Sequence, residues 1–263
     1  MTAPHPHRAR KRFGQNFLHD ANILRNMVRA IAPRPGDALV EIGPGKGALT
    51  LPLLEKLGRL RVIELDRDLI SPLRDKAADI GELILYNEDA LRFDFAALAA
   101  ETGPLRIVGN LPYNISTPLI FHLLDQSEQI IDMHFLLQKE VVERMAATPG
   151  GKDYGRLSVM VQYHCQVQRL FTVGPAAFHP RPKVDSAFVR LIPHREKPAT
   201  ANNPALLADL VRDAFNQRRK TLRKSLKGIA DEAAFETAGI DPGKRPEQLS
   251  VAEFVRLANS LAR

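Results

Sequence analysis

A chain of 263 residues with 44% apolar and 25% charged side chains has the material for one large or two modest domains and can bury a full core without staples. Its single cysteine, Cys165, excludes an internal disulfide and a cysteine-rich zinc site; its histidines are scattered, so no metal site is expected; and no apolar run nears the roughly 18 residues of a membrane span. The net charge of +7 favours a polyanionic partner, and the excess is clustered in Arg8, Arg10, Lys11 and Arg12, in Arg181 and Lys183, and in Arg218, Arg219, Lys220, Arg223, Lys224 and Lys227.

Met1 to Arg12 has no apolar stretch of the kind a secretory signal needs, so a cytoplasmic location is the simpler expectation. Asp20 is placed to cap a helix over residues 21–31, with Ile23, Leu24, Met27, Val28 and Ile31 on one side. Pro33-Arg34-Pro35-Gly36-Asp37 ends it. Residues 38–42 then read as a short buried strand, Gly43-Pro44-Gly45-Lys46-Gly47 as a turn, and residues 48–57 as a helix. Strand, glycine turn and helix open a nucleotide-binding βαβ unit, although G-x-G-x-G is not the dinucleotide spacing and such turns are often only structural.

The second strand, residues 60–63, ends at Glu64, 21 residues beyond Gly43 and close to the expected place of an acid that binds ribose hydroxyls. A carboxylate accepts both hydroxyl protons, which suits the residue type; the plain alternative is an exposed acid at a strand end. Asp66, Asp68 or Ser71 with Pro72 could start the next helix. A third strand, residues 83–86, delivers Asp89 to the same edge, where it could meet an adenine amino group or simply cap a turn. Ligands of open α/β sheets bind at that edge.

The apolar run of residues 105–108 reads as a fourth strand and carries Gly109-Asn110-Leu111-Pro112-Tyr113. An amide, a proline and an aromatic ring in consecutive positions suit the grip of a planar group with an NH2: the amide oxygen accepts one N–H, and the ring stacks. A polar turn is the competing reading. Residues 132–138 read as a fifth strand and 139–147 as a helix. Residues 157–167 alternate apolar and polar, which favours a strand, although a helix fits the first half. Phe178-His179-Pro180-Arg181-Pro182-Lys183 is a proline-fixed loop with a basic edge, residues 184–192 form a further strand, and 194–204 is the candidate linker. From Ala205 one helical wheel carries Leu207, Val211, Ala214, Phe215, Leu222 and Leu226, with Arg212, Lys220, Arg223, Lys224 and Lys227 beside them. A competing reading has Thr221 capping a second helix, and a basic face is often only a solvated one. Ser250-Val251-Ala252-Glu253 is a capping box that opens a last helix to about Leu261.

In this order the motifs resemble one family, the ribosomal RNA adenine dimethyltransferases of the KsgA type, with Erm-type relatives. The resemblance runs from about Lys11 to Ala262. It rests on Arg12-Phe13-Gly14-Gln15-Asn16-Phe17-Leu18, the glycine turn, Val62-Ile63-Glu64-Leu65-Asp66-Arg67-Asp68, Gly109 to Pro118, Lys139-Glu140-Val141-Val142, Tyr154-Gly155-Arg156-Leu157-Ser158, Pro182-Lys183-Val184-Asp185-Ser186-Ala187, Ala214-Phe215-Asn216-Gln217-Arg218-Arg219-Lys220-Thr221 and Gly239-Ile240-Asp241-Pro242. Lys46-Gly47 and Pro72 depart from it locally.

The resemblance implies an α/β chain with the class I, S-adenosylmethionine-dependent methyltransferase fold: a Rossmann-like, seven-stranded, mainly parallel sheet, followed by a small all-helical C-terminal domain. Residues 1–194, with a basic tail at 1–12, would be the catalytic domain, and 204–263 the RNA- and ribosome-binding domain. Within residues 157–167 it favours a helix, then a strand over about 166–172. It implies that Asn16, Leu18, Gly43, Gly45, Glu64, Asp89 and Asn110 hold S-adenosyl-L-methionine, with Glu64 on the ribose and Asp89 on the cofactor's adenine. Asn110, Leu111, Pro112, Tyr113 and Phe178 would hold the target adenine, and Arg218, Arg219, Lys220, Arg223, Lys224 and Lys227 the RNA backbone.

The implied reaction is dimethylation at N6 of two adjacent adenines in a hairpin loop near the 3′ end of small-subunit (16S) rRNA, on an assembling subunit and hence in ribosome biogenesis. A monomer that binds neither DNA nor membrane is expected. The alternatives are an Erm-type large-subunit rRNA methyltransferase, which the Asn-Gln-Arg-Arg-Lys segment fits less well, and a non-catalytic assembly factor, which leaves Glu64, Asp89 and Asn110 unexplained.

Overall fold

The computed structural model describes residues 16–261. The basic tail with its arginine cluster, the Arg12 to Gln15 part of the first motif, and Ala262 lie outside the described residues. The described residues divide into two compact units, residues 16–139 with 168–193, and residues 140–167 with 194–261. The sequence partition differs in one respect, since residues 140–167 group with the C-terminal part and not with the sheet.

In the first unit, β1 (Phe17–Leu18) leads into α1 (Ala21–Ile31). Asp20 caps α1 as expected, accepting the N–H of Asn22 at 2.8 Å and of Ile23 at 3.1 Å. Met27, Val28 and Ile31 are buried on the expected face, with Ile23 and Leu24 packed against the same apolar cluster. Then follow β2 (Ala38–Ile42), α2 (Thr50–Leu57), β3 (Arg59–Ile63), α3 (Ile70–Ala77), β4 (Glu82–Tyr86), α4 (Phe95–Thr102), β5 (Leu105–Asn110), α5 (Ser116–Leu124) and β6 (Ile130–Gln138). Asp66 caps a short 3-10 turn that runs into α3.

After α6 (Lys139–Met145) and α7 (Arg156–His164) come β7 (Cys165–Val173), β8 (Phe178–His179) and β9 (Ser186–Pro193). Seven strands form one sheet in the order β4-β3-β2-β5-β6-β9-β7. The pairs β3 with β4, β2 with β3, β2 with β5, and β5 with β6 are parallel, and β9 is antiparallel to β6. The chain winds outward from β2 through β3 to β4 and then returns to the other side of β2 as β5. The crevice at this switch point, outside the carboxyl ends of the strands, is where α/β sheets take ligands.

A buried ion cluster ties β5 and β6 to the end of α1. Arg106 grips both oxygens of Asp132, at 2.9 and 3.0 Å, and reaches Asp37 at 2.7 Å and the Ile31 carbonyl at 2.6 Å. Arg190 of β9 adds a bond to Asp132 at 2.9 Å. Burial alone would raise the Asp132 carboxyl; the two guanidinium groups outweigh it and hold the group below its ordinary value.

The second unit holds α6 from Glu140 onward, α7, α8 (Pro204–Asn216), α9 (Leu222–Ser225), α10 (Glu232–Ala238) and α11 (Val251–Leu261). Two expectations from periodicity are corrected here. Residues 157–164 alternate in polarity yet form helix α7. Two of their polar side chains bond backbone: Ser158 donates to the Arg144 carbonyl, and Gln162 to those of Met145 and Ala147, both at 2.8 Å. They serve the orphan carbonyls at the end of α6. The continuous helix from Ala205 to Leu226 is broken at residues 217–221, and Thr221 stands at the N-cap of α9. The first N–H groups of α9 are taken by another loop, Leu222 by the Lys244 carbonyl at 2.8 Å and Arg223 by that of Pro242 at 3.0 Å. Leu207, Val211, Ala214, Leu222 and Leu226 are buried all the same.

The stretch 194–204, read as a linker, is fastened down within this unit. Asn202 donates its N–H to Asn259 at 2.8 Å, and Asn259 returns a bond to the Thr200 carbonyl at 2.9 Å. The Ser250–Glu253 capping box forms as expected. Among the described residues no helix is long and apolar enough to cross a membrane, and no group of three possible metal ligands occurs.

Candidate active site

The carboxyl ends of β2, β3 and β5, the loop after β4 and the β1 segment enclose a cavity of about 620 Å³ in the first unit. That volume suits a small-molecule cofactor. Asn16, Leu18, Gly43, Gly45, Glu64, Asp89, Asn110, Leu111, Pro112 and Tyr113 all line it, so ten positions scattered over almost a hundred residues of sequence meet in one place.

One wall is the glycine turn after β2. Gly45 has φ +56°, and a Cβ there would come 3.1 Å from the Phe17 ring. Both the backbone conformation and the lack of room therefore call for glycine. The Lys46 ammonium lies over the same ring, 4.7 Å from its centroid, and fastens the β1 segment across the turn. Glu64, at the end of β3, accepts the Gly45 N–H at 3.2 Å with one carboxylate oxygen and the Asp66 N–H at 2.8 Å with the other. Burial raises its carboxyl, against the pull of these N–H groups. Asp89 accepts the Leu91 N–H at 3.0 Å with Oδ1.

Asn110 ends β5. Gly109 before it lies so near β2 that a Cβ would stand 2.6 Å from the Ile42 carbonyl oxygen, and no larger residue fits. The Asn110 amide nitrogen donates to the Asn16 carbonyl at 2.9 Å. This bond fixes the amide's orientation and leaves its oxygen as the end that can accept an N–H. The next residues are pinned in turn. The Leu111 N–H donates to the Leu136 carbonyl at 3.2 Å, and Ser116 bonds the Tyr113 carbonyl at 3.1 Å. The Tyr113 hydroxyl meets that of Ser186 at 2.8 Å, which anchors the ring to β9. Burial raises this phenol, with Ser186 opposing.

A family model described as ribosomal RNA adenine dimethylase matches residues 6–263. The chain belongs to that family. Within curated proteins, it is 60% identical over 262 residues to the ribosomal RNA small subunit methyltransferase A of Pseudomonas putida, covering 100% of this chain and 98% of the relative. The protein of the same name from Pseudomonas aeruginosa is 61% identical over 262 residues, with the same coverage. A dimethyladenosine transferase from Plasmodium falciparum has the same architecture, with a TM-score of 0.79 at 27% identity over 92% of this chain and 95% of that one. The 23S rRNA methyltransferase ErmE follows at 0.70 and 25%, over 94% and 100%.

In this adenine dimethylase, one expected residue stands apart from the cavity lining. Phe178 is 2% exposed and belongs to the apolar core, paired across β8 and β1 with Leu18, while its neighbour His179 lines the cavity. Strand alternation explains the exchange, since adjacent residues point to opposite faces. Sequence reasoning missed His179 and also Glu41, which sits in mid-strand and lines the same cavity. An acid in an otherwise apolar strand was the available signal for Glu41. The six basic residues Arg218, Arg219, Lys220, Arg223, Lys224 and Lys227 are exposed around the α8–α9 connection of the second unit. Two of them are engaged: Arg218 donates to the Lys152 carbonyl, and Arg223 pairs with Glu232 at 3.1 Å.

Proposed function

We propose that the cavity binds S-adenosyl-L-methionine and that the protein uses it to dimethylate N6 of two adjacent adenines in the 3′-terminal hairpin loop of small-subunit rRNA, on an assembling subunit in the cytoplasm. The observation that carries the reading is the Asn110 amide, held by its nitrogen at a cavity lined by Glu64 and Asp89. The fit to the cofactor is chemical as well as spatial. A glycine turn admits close approach of a ligand to backbone, and two acids at successive strand ends match ribose hydroxyls and an adenine amine.

The bound cofactor supplies a methyl group on positively charged sulfur. The chain's own residues orient the acceptor. N6 of adenine is a weak nucleophile because its lone pair is delocalised into the ring. Asn110 Oδ1 and the Leu111 carbonyl accept its two N–H groups and favour a pyramidal nitrogen. Tyr113, anchored through Ser186, stacks on the base. Asn110 and Leu111 would hold N6 toward the methyl group that the bound cofactor would supply, and the N6 proton displaced on transfer would leave to solvent. Positioning carries most of this, and no strong general base is needed. The target base must be unpaired or flipped out. Phe178 supports the base pocket from the core side. The exposed basic residues of the second unit grip the phosphate backbone, and the protein works as a monomer.

The test is transfer of labelled methyl groups to small subunits from a strain that lacks the modification. Dimethyladenine in the small-subunit RNA is expected. No label, or label in large-subunit RNA alone, overturns the reading. The second outcome would favour an Erm-type activity, which the 25% identity to ErmE supports less than the 60% identity to the small-subunit enzymes.

A further inference from the structure

Glu41 is only 2% exposed, yet it lines the cavity. Among the described residues its Oε2 meets no group in hydrogen-bond geometry, and neither does the buried Thr50 hydroxyl beside it. In the parallel register Glu41 lies opposite Val62. Glu64, two residues beyond Val62, therefore points to the same side of the sheet. Two carboxyl groups thus share one poorly hydrated wall. Burial, reinforced by the charge of Glu64 and only eased by Thr50, pushes the Glu41 carboxyl up to about 8.

The other titratable groups around the cavity are Lys46, His19 and His179 on one side of the charge balance, and Glu64, Glu88 and Asp89 on the other, with the Tyr113 phenol. None is bonded to Glu41 Oε2. A buried carboxyl oxygen without a partner costs stability, and an apolar residue would serve the strand better. The cost points to a use in the bound state.

We propose that Glu41 senses the charge of the bound cofactor: it stands ionised opposite the positively charged methyl donor and takes a proton from solvent when the neutral product is in its place, so that the cavity favours donor over product. The inference rests on the cofactor reading above. Glu41 acts through space and is a positioning residue for charge, not a group that touches the reacting atoms. Donor and product carry the same ammonium and carboxylate; they differ in the sulfonium, and that charge is what the Glu41–Glu64 wall distinguishes.

Calorimetric titration of the full chain with S-adenosylmethionine and with S-adenosylhomocysteine, at pH 7 in two buffers of different ionisation enthalpy, counts the protons released. The donor is expected to expel on the order of one proton and the product clearly fewer. In Glu41→Gln that difference disappears, and the preference for donor over product falls about tenfold, the factor carried by one pKa unit. The variant also subtracts any proton that comes from the ligand. Should Glu41→Gln fail to fold, the wild-type affinity ratio between pH 6 and pH 8 decides. A ratio that rises with pH supports the proposal, and a flat one overturns it. Equal proton counts for two ligands that both bind overturn this inference alone, whereas binding of neither removes the cofactor reading together with it.

Discussion

Asn110 has an amide whose nitrogen is spent on the Asn16 carbonyl and whose oxygen faces a different task. Asn110→Ala is therefore expected to abolish methyl transfer while S-adenosylmethionine still binds; equal loss of both, in transfer and calorimetric assays, would move Asn110 out of the target role. Glu64→Ala removes a carboxylate that also accepts the Gly45 and Asp66 N–H groups. A loss of about 1.5–3 kcal/mol in cofactor binding is expected, the scale of hydrogen bonds to a charged group; an unchanged dissociation constant contradicts it. These two residues were legible in the sequence because each ends a strand and strand ends share an edge. Glu41 showed only as an acid in an apolar strand, since its unpartnered Oε2 is a property of packing. The exchange between Phe178 and His179 was not legible, since it turns on strand alternation in a two-residue β8.

At the scale of elements, the apolar runs that end in turns at residues 38–42, 60–63, 83–86, 105–108 and 132–138 lie in strands, and the caps at Asp20 and Ser250 open the expected helices, whereas α4 and α10, capped by Asp94 and Asp231, were not anticipated. Periodicity misled where polar side chains bond backbone instead of water, as Ser158 and Gln162 do. It misled again where the continuation of a helix depends on a distant loop, as at Leu222 and Lys244. The Arg106–Asp132 pair joins β5 and β6 with side chains 11% and 2% exposed. Asp132→Asn strips both Arg106 and Arg190 of a counter-charge and is expected to cost about 3–5 kcal/mol in denaturant unfolding. The pH dependence has a definite sign. The folded Asp132 carboxyl lies below its ordinary value, so its stabilisation is present above the ordinary carboxylate range and is lost as pH falls through the folded value. Stability of the wild type and of the variant should converge at acid pH, and parallel acid profiles would show the pair to be inert.

For the molecule as a whole, the charge of +7 locates an anionic partner but not its sequence. Cations on phosphates act through counterion release and leave a signature in salt dependence. Charge reversal at Lys224 and Lys227 is expected to weaken binding to the small subunit and to flatten the salt slope by roughly one unit for each phosphate no longer neutralised. An unchanged slope would leave them a solvated face. Arg223, paired with Glu232, should contribute less than either lysine.

The antiparallel pairing of β1 with β8 sets Phe17 against His179, 162 residues later in the chain. The cavity floor is complete once β5 has emerged during synthesis, but the Asn16 carbonyl that aligns Asn110 has no β8 to hold it until residue 179 is made. Closing so long a loop is slow and comes late. A nascent chain halted after β6 would therefore own every acid of the cavity and still leave it uncovered. An enzyme proposed to finish ribosomes thus acquires its own binding site only when a ribosome has nearly finished with its sheet.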